Sequence, residues 1–364
     1  MKPVDLVILP GDGIGPEIVA ATRTCLAALD AAFGLRLALT EEKVGFASLE
    51  AHGTTLTDAV VARIRKADGA LLGPVSTMDY PPVAEGGINP SAALRKRLDL
   101  YANMRPSRSL PGVAPVAGMD LMIARENTEG FYADRNMAIG SGEFAVTEDV
   151  VLAVRKTTRQ ACENIVRAAC RSAMTRRRHL TIVHKANVLK LGDGMFLDTA
   201  RRIAAEEFPD IAVDDVLVDA MASLLVREPQ RFDVIVTSNM FGDILSNQAA
   251  ELAGGLGLAA SLNVGDECAL AQAAHGSAPD IAGQNIANPA SLIGSAAMLL
   301  DWIGARRGEQ RLAEAGRALE SALESALADP AIRTPDLGGG GTTSGMGDAI
   351  AARLESAAST LSGR

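Results

Sequence analysis

Aromatic residues make up only 3% of this 364-residue chain, with one Trp and three Tyr, and there are just four His and four Cys. The cysteines (Cys25, Cys162, Cys170, Cys268) lie far apart and form no C-x-x-C pair. That argues against a disulfide framework and against a zinc site, and reduced thiols of a cytoplasmic protein are expected. No apolar run is long enough to cross a membrane, and the N-terminal one is too short for a signal peptide. Positive charge is also short: 35 Lys and Arg face 44 Asp and Glu, a net charge of -9. A nucleic-acid binder needs a basic face for phosphate, so the charge argues against a general nucleic-acid binder. The one basic cluster, Arg176 to His179, precedes a strand-like run and reads as a solvated helix end. The dinucleotide fingerprint G-x-G-x-x-G is missing too, and so is a P-loop lysine.

What is present is an ordinary globular composition, 48% hydrophobic and 22% charged, long enough for one large or two ordinary domains. Short apolar runs alternate with amphipathic stretches. Val4 to Pro10, Asp120 to Glu126, Leu180 to His184, Ile211 to Val218 and Asp233 to Thr237 read as strands. Pro16 to Ala32 and Glu148 to Met174 read as helices. Strands alternating with helices imply an α/β fold around a mostly parallel sheet. Glu129 to Thr147 breaks the pattern as a polar, glycine-containing insertion, either a loop or an arm reaching another subunit. A glycine-rich run, Asp336 to Gly345, precedes a last helix.

Polar residues cluster beside these elements. "GDGIGPE" (Gly11 to Glu17) follows the first strand and requires a tight backbone turn. Arg95, Arg105 and Arg125 stand near expected strand or helix ends; each alone is most often a surface residue, but three guanidinium forks together suit a di- or tricarboxylate. Lys185 lies just past a strand, as an ordinary helix-start lysine or as a base with a lowered pKa. Asp219 and Asp243 follow strand ends, where open α/β sheets bind ligands. Their oxygens suit Mg²⁺ or Mn²⁺. Asn247 is four residues beyond Asp243, one turn on if the segment is a helix. "HGSAPDIAGQNIANP" (His275 to Pro289) has no regular period and reads as a ligand loop rather than a plain turn.

In order and spacing, "LPGDGIGPE", "LRKRLDLYANMRP", "RENTEGFY", "HKANVL", "FDVIVTSNMFGDILS", "HGSAPDIAG" and "TPDLGGGGTT" resemble the β-decarboxylating dehydrogenases along nearly the whole chain. That family comprises isocitrate, homoisocitrate, 3-isopropylmalate and tartrate/D-malate dehydrogenases. The resemblance implies an isopropylmalate dehydrogenase-like fold and not the usual Rossmann fold. Residues 1–101 and 255–364 would form a large cofactor-binding domain, and 102–254 a smaller domain for substrate and dimerisation, with 129–147 as its arm. It implies a homodimer with shared active sites, Lys185 and Asp219 coming from the neighbouring subunit. Arg95, Arg105 and Arg125 would bind the substrate's carboxylates. Asp219, Asp243 and Asn247 would hold Mg²⁺ or Mn²⁺. Lys185 would take the hydroxyl proton and Tyr132 would protonate C3. The cofactor would lie against Ile14, His275, Gly276, Ser277, Ala278, Asp280 and Asn288. NADP-using relatives resemble "APKYAG" where this chain has "APDIAG"; a carboxylate accepts from ribose hydroxyls and repels a 2′-phosphate, so NAD is expected.

Two positions depart from the pattern. Relatives usually read "GDILSD", and Asn247 replaces the last aspartate. Relatives usually read "FEPVHG", and Gln272 replaces the glutamate. Both changes remove negative charge, so the metal should bind more weakly or the substrate be more anionic. Asn89 and Ser91 line the segment before Arg95, where isopropylmalate enzymes are leucine-rich. A polar pocket disfavours a bare isopropyl group. The expectation is a polar-substituted malate of the isocitrate or homoisocitrate kind. 3-Isopropylmalate and tartrate or D-malate are the alternatives, and a non-catalytic subunit on the same fold is a minor one. A metal-independent 2-hydroxy-acid dehydrogenase is disfavoured by the missing fingerprint.

Overall fold

The computed structural model describes residues 2–132 and 142–362, with side chains as far as 356. One ten-stranded sheet organises it. Its order is β2 (Leu37–Glu41), β1 (Val4–Leu9), β3 (Gly69–Leu72), β12 (Ala269–Gln272), β11 (Leu262–Val264), β4 (Ala102–Arg108), β5 (Asp120–Glu126), β10 (Val234–Thr237), β8 (His179–His184) and β9 (Ala212–Leu217). Both wings are parallel, and the three ladders β12–β11, β11–β4 and β4–β5 in the middle are antiparallel. The strands of the first wing come from the two ends of the sequence and those of the second from its middle.

The residues explain the layering. β10 reads Val-Ile-Val-Thr and every residue in it is buried, as for a parallel strand covered on both faces. Helices supply that cover. α1 (Gly15–Phe33) packs on α11 (Thr343–Ser362), α9 (Ala290–Arg307) on α10 (Gln310–Leu327), and α5 (Arg159–Met174) on α6 (Gly192–Glu207). α1 starts with Pro16 in its first turn and ends on Gly34 in the left-handed region at φ 59°, a common stop signal. All four cysteines are free and buried.

Three expectations change. The stretch from Glu148 is not one helix: Val150–Ala153 forms β7, paired antiparallel with β6 (Glu143–Thr147), and α5 begins only at Arg159. The β-branched run Val150-Val151 favours the strand, and Thr158 caps the helix by accepting from the Ala161 amide. The insertion therefore extends past Thr147, while residues 133–141 lie outside the described residues. Arg176 and Arg177 are not merely solvated. Arg176 bridges the buried Asp233 at 2.8 Å and Asp120 at 2.7 Å, tying the end of α5 to the sheet. Arg105 lies inside β4, not at an element end.

Candidate active site

The carboxyl ends of β5, β10 and β8 converge on one region. α8 (Asn239–Ala253) starts two residues after β10, so its first turns stand over Arg125, the penultimate residue of β5. Gly242 makes that approach possible: a Cβ there would lie 2.6 Å from Arg125 Cγ. Arg125 is 3% exposed. Its Nε donates to the Asn239 carbonyl at 3.0 Å and its Nη1 to Asp243 Oδ1 at 2.5 Å.

Arg105 reaches the same carboxylate from the neighbouring strand. Its Nη1 is 3.3 Å from Asp243 Oδ1, 2.8 Å from Ser246 Oγ and 3.4 Å from Asn247 Oδ1. The guanidinium is almost wholly buried, and desolvation lowers its pKa while Asp243 opposes that. Two cations on one carboxylate leave an electropositive floor that suits an anionic ligand. Asp243 and Asn247 face one guanidinium nitrogen, so their oxygens converge as the helical spacing suggests. Tyr132 lies close enough to Arg105 to act on it electrostatically. Arg95 is half-buried on α4 (Pro90–Arg97), one turn past Ser91.

Lys185 and Asp219 form a separate pair. Lys185 Nζ meets Asp219 Oδ1 at 2.5 Å, and the Asp219 side chain is 66% exposed. That contact holds the Asp219 carboxyl below the usual range. Around Lys185 the backbone is fixed. Its amide donates to Asp193 Oδ2 at 2.6 Å, and the Ala186 amide donates to His184 Nδ1 at 3.0 Å. The buried Asp193 also accepts from Arg155, whose guanidinium lies over the rings of Phe131 and Phe241. Asp193 and Arg155 escape a sequence reading, because only the fold brings them beside the lysine. Among the described residues no three His, Cys, Asp or Glu side chains gather into a metal-binding cluster.

On the other wing the site is made of backbone. Gly11 and Gly13 have φ of 77° and 57°, and the Ile14 amide donates to the Ser277 carbonyl at 2.8 Å. A Cβ on Gly13 would sit 2.0 Å from that carbonyl oxygen. Ser76 Oγ donates to Ser277 Oγ at 2.7 Å. Asp12, which a sequence reading passes over, holds the turn: it accepts from the amides of Phe46 and Ser76 and from the Tyr80 hydroxyl. Ala278 takes φ 37°, a left-handed strain for a residue with a Cβ. His275 binds the Gly276 carbonyl through Nδ1 at 3.0 Å, its Nε2 is buried without a hydrogen-bond partner, and burial lowers its pKa. Gly276 and Asp280 are exposed. Asn288 is committed within the protein, donating to Asp336 at 2.9 Å and accepting from the Ala290 amide at 3.0 Å. Asn89 caps α4 by accepting from the Ala92 amide at 3.0 Å.

A family model described as isocitrate/isopropylmalate dehydrogenase matches residues 5–350. The chain belongs to that family. Its members are dehydrogenases that decarboxylate hydroxy acids. An isocitrate/homoisocitrate dehydrogenase of Thermus thermophilus is 43% identical over 96% of this chain and 98% of its own. A 3-isopropylmalate dehydrogenase of Sulfurisphaera tokodaii is 38% identical over 93% of this chain and 95% of its own. The crystal structure of isocitrate dehydrogenase from Methylococcus capsulatus superposes with a TM-score of 0.84 at 40% identity, covering 97% of this chain and 99% of that one. The family fold is thus the one observed, with its antiparallel centre between parallel wings.

Proposed function

We propose that this isocitrate/isopropylmalate dehydrogenase family member oxidatively decarboxylates a 3-substituted (R)-malate, using NAD and a divalent metal, and that the substituent is polar, as in isocitrate or homoisocitrate. The observation that carries this is the convergence of Arg105 and Arg125 on Asp243, with Asn247 beside it. Buried guanidinium groups next to acidic and amide oxygens suit a ligand with several carboxylates. The oxygen donors Asp243 and Asn247, with Asp219 supplied by a second chain, fit Mg²⁺ or Mn²⁺. A divalent ion held there would polarise the substrate's hydroxyl and carboxylate oxygens as a Lewis acid.

Each protein group then has a task. Arg95, Arg105 and Arg125 hold the carboxylates and so fix the orientation of C2. Lys185 takes the C2 hydroxyl proton, directly or through water, and NAD⁺, when bound, would supply the acceptor for the C2 hydride. The electron pair of the C3–carboxylate bond moves into the resulting ketone, and CO₂ departs. Tyr132 gives C3 its proton. A positioned acid or base of this kind is worth about 10²–10⁴-fold. Ile14, His275, Gly276, Ser277, Ala278 and Asn288 shape the cofactor cleft, and the exposed Asp280 carboxylate favours the ribose hydroxyls of NAD over a 2′-phosphate.

A homodimer is part of the proposal. The β6–β7 hairpin exposes Phe144, Val146, Val151 and Leu152, an apolar ribbon that calls for cover. The similarity to named 3-isopropylmalate dehydrogenases keeps that substrate as the second reading. NADH formation separates the two. The purified protein is given isocitrate, homoisocitrate, 3-isopropylmalate, D-malate or tartrate, each with Mg²⁺, Mn²⁺ or EDTA and with NAD⁺ or NADP⁺. The expected result is a metal-dependent rate with NAD⁺, highest on isocitrate or homoisocitrate. A highest rate on 3-isopropylmalate would select the second reading, and a full rate in EDTA would sink the metal-dependent mechanism.

A further inference from the structure

Gln272 and Ser91 are 181 residues apart in the chain, and the fold places them in contact: Ser91 Oγ donates to Gln272 Oε1 at 3.0 Å. Gln272 ends β12 and is 8% exposed. Its backbone is fixed by the Ser261 carbonyl, which accepts from its amide at 3.1 Å, and by Ser295 Oγ, which donates to its carbonyl at 3.2 Å. Ser91 sits in the first turn of α4, one turn before Arg95 and on the same side of the helix. The neighbouring Asn89 has its oxygen committed to the helix cap. Ser91 is therefore the adaptable hydroxyl on this stretch, and Gln272 is what it answers to.

A hydroxyl has one proton and two lone pairs. While the amide oxygen of Gln272 accepts, that proton is committed. When the amide turns over, Nε2 donates to Ser91 Oγ, and the hydroxyl can aim its proton at a ligand oxygen. A carboxylate in place of the amide could not do this, since it only accepts. It would keep the Ser91 proton and add a negative charge beside Ser91.

Resting on the polar-substituent reading above, we infer that Gln272 is a specificity-determining residue: acting through Ser91, it admits a malate whose C3 substituent ends in a carboxylate. Ser91 becomes a donor to that carboxylate because its neighbour, unlike a carboxylate, does not hold the hydroxyl proton permanently. The residue positions Ser91 and takes no part in bond breaking.

The test is the ratio of kcat/KM for isocitrate to kcat/KM for 3-isopropylmalate, in the full-length enzyme with NAD⁺ and Mg²⁺. Gln272→Glu is expected to lower the ratio about 10- to 100-fold, the size of one hydrogen bond to a charged group, mainly by raising KM for isocitrate. Turnover of 3-isopropylmalate should stay within about threefold, within the scatter of indirect effects. In the Ser91→Ala background the same change should cost clearly less, since the two residues act as a unit. Gln272→Met buries no charge and leaves the Ser91 proton free, so it is expected to keep the ratio within about threefold on the same ground; this arm still decides the matter if the glutamate variant folds poorly. An unchanged ratio in Gln272→Glu, or a fall in Gln272→Met as deep as in Ser91→Ala, would overturn the role of Gln272 alone. A wild-type enzyme that prefers 3-isopropylmalate would overturn the polar-substituent reading, and this inference with it.

Discussion

The two charged clusters of the site differ in the way each is held. Arg105 and Arg125, which hold Asp243, are enclosed by their own chain: Arg125 is 3% and Arg105 7% exposed, and neighbouring strands and the start of α8 supply their hydrogen bonds. In the other pair Asp219 lies open, with 66% of its side chain exposed, and Lys185 is half-buried. Large apolar side chains on the same segments are open too: Val188 at 66%, Leu191 at 91% and Val226 at 59%. A buried ion cluster is complete in itself. An ion pair whose own segments expose apolar side chains fits the proposed homodimer, because exposed apolar patches often mark contact surfaces. On the proposed function, one chain presents the arginines in one place and the Lys185–Asp219 pair in another, and a second copy would bring them together.

The contrast ranks the consequences of mutation. The largest effect is expected at the enclosed cluster. Arg125→Met leaves Asp243 short of a cation, and kcat/KM is expected to fall about 10²–10⁴-fold, as when one partner of a buried charge pair is removed; steady-state NADH formation reads this. Lys185→Ala should lose about 10²–10⁴-fold in kcat if the lysine is the base. Its NAD affinity, measured by fluorescence titration, should hold, because the lysine lies apart from the cofactor loop; a variant with unchanged kcat would remove it from the chemistry. Gly13→Ala strains a residue at φ 57° and drives its Cβ into the Ser277 carbonyl. A strain of about 1–3 kcal/mol should weaken NAD binding by roughly 5- to 100-fold and leave metal binding intact. Asn247→Asp restores a charge, and calorimetric Mn²⁺ affinity should rise by about tenfold.

The smallest effect concerns pH. Burial lowers the His275 pKa below its unfolded value, so as pH falls the unfolded chain takes up the proton first. The stability due to neutral His275 is complete above the unfolded pKa, about 6.5, and is lost as pH falls through that value towards the folded one. Urea melts of wild type and His275→Gln at pH 8 and pH 5.5 should therefore show a smaller difference at the lower pH.

Much of this was legible in the sequence for physical reasons. Short apolar runs bounded by turn residues read as strands, and β1, β5, β8 and β10 lie where such runs fall and are largely buried, while β9 falls where expected but is a mostly exposed edge strand. Asp243 and Asn247 sat four apart in an amphipathic stretch, and helical spacing alone brought their oxygens together. The β6–β7 hairpin was less legible, because its strands are exposed and lack the alternation that burial imposes. The antiparallel strands β4, β11 and β12 were also hidden, since they are short or carry arginine, asparagine and glutamine inside the sheet. Long-range contacts were invisible in principle. Nothing near Ser91 announces Gln272, and nothing near Lys185 announces Arg155.

In the proposed dimer the arginine cluster of one chain works with Lys185 of the other, and subunit mixing tests this most directly. Arg125→Met and Lys185→Ala proteins, each nearly inactive, are unfolded together, refolded as a mixture and assayed for metal-dependent NADH formation. In a mixed dimer one site combines an intact Arg125 from one chain with an intact Lys185 from the other. Random pairing of symmetric dimers then predicts recovery of roughly a quarter of wild-type activity. A mixture that stays as inactive as its parents, while mixed dimers are shown to form, would contradict the shared site and place Lys185 with the arginines of its own chain.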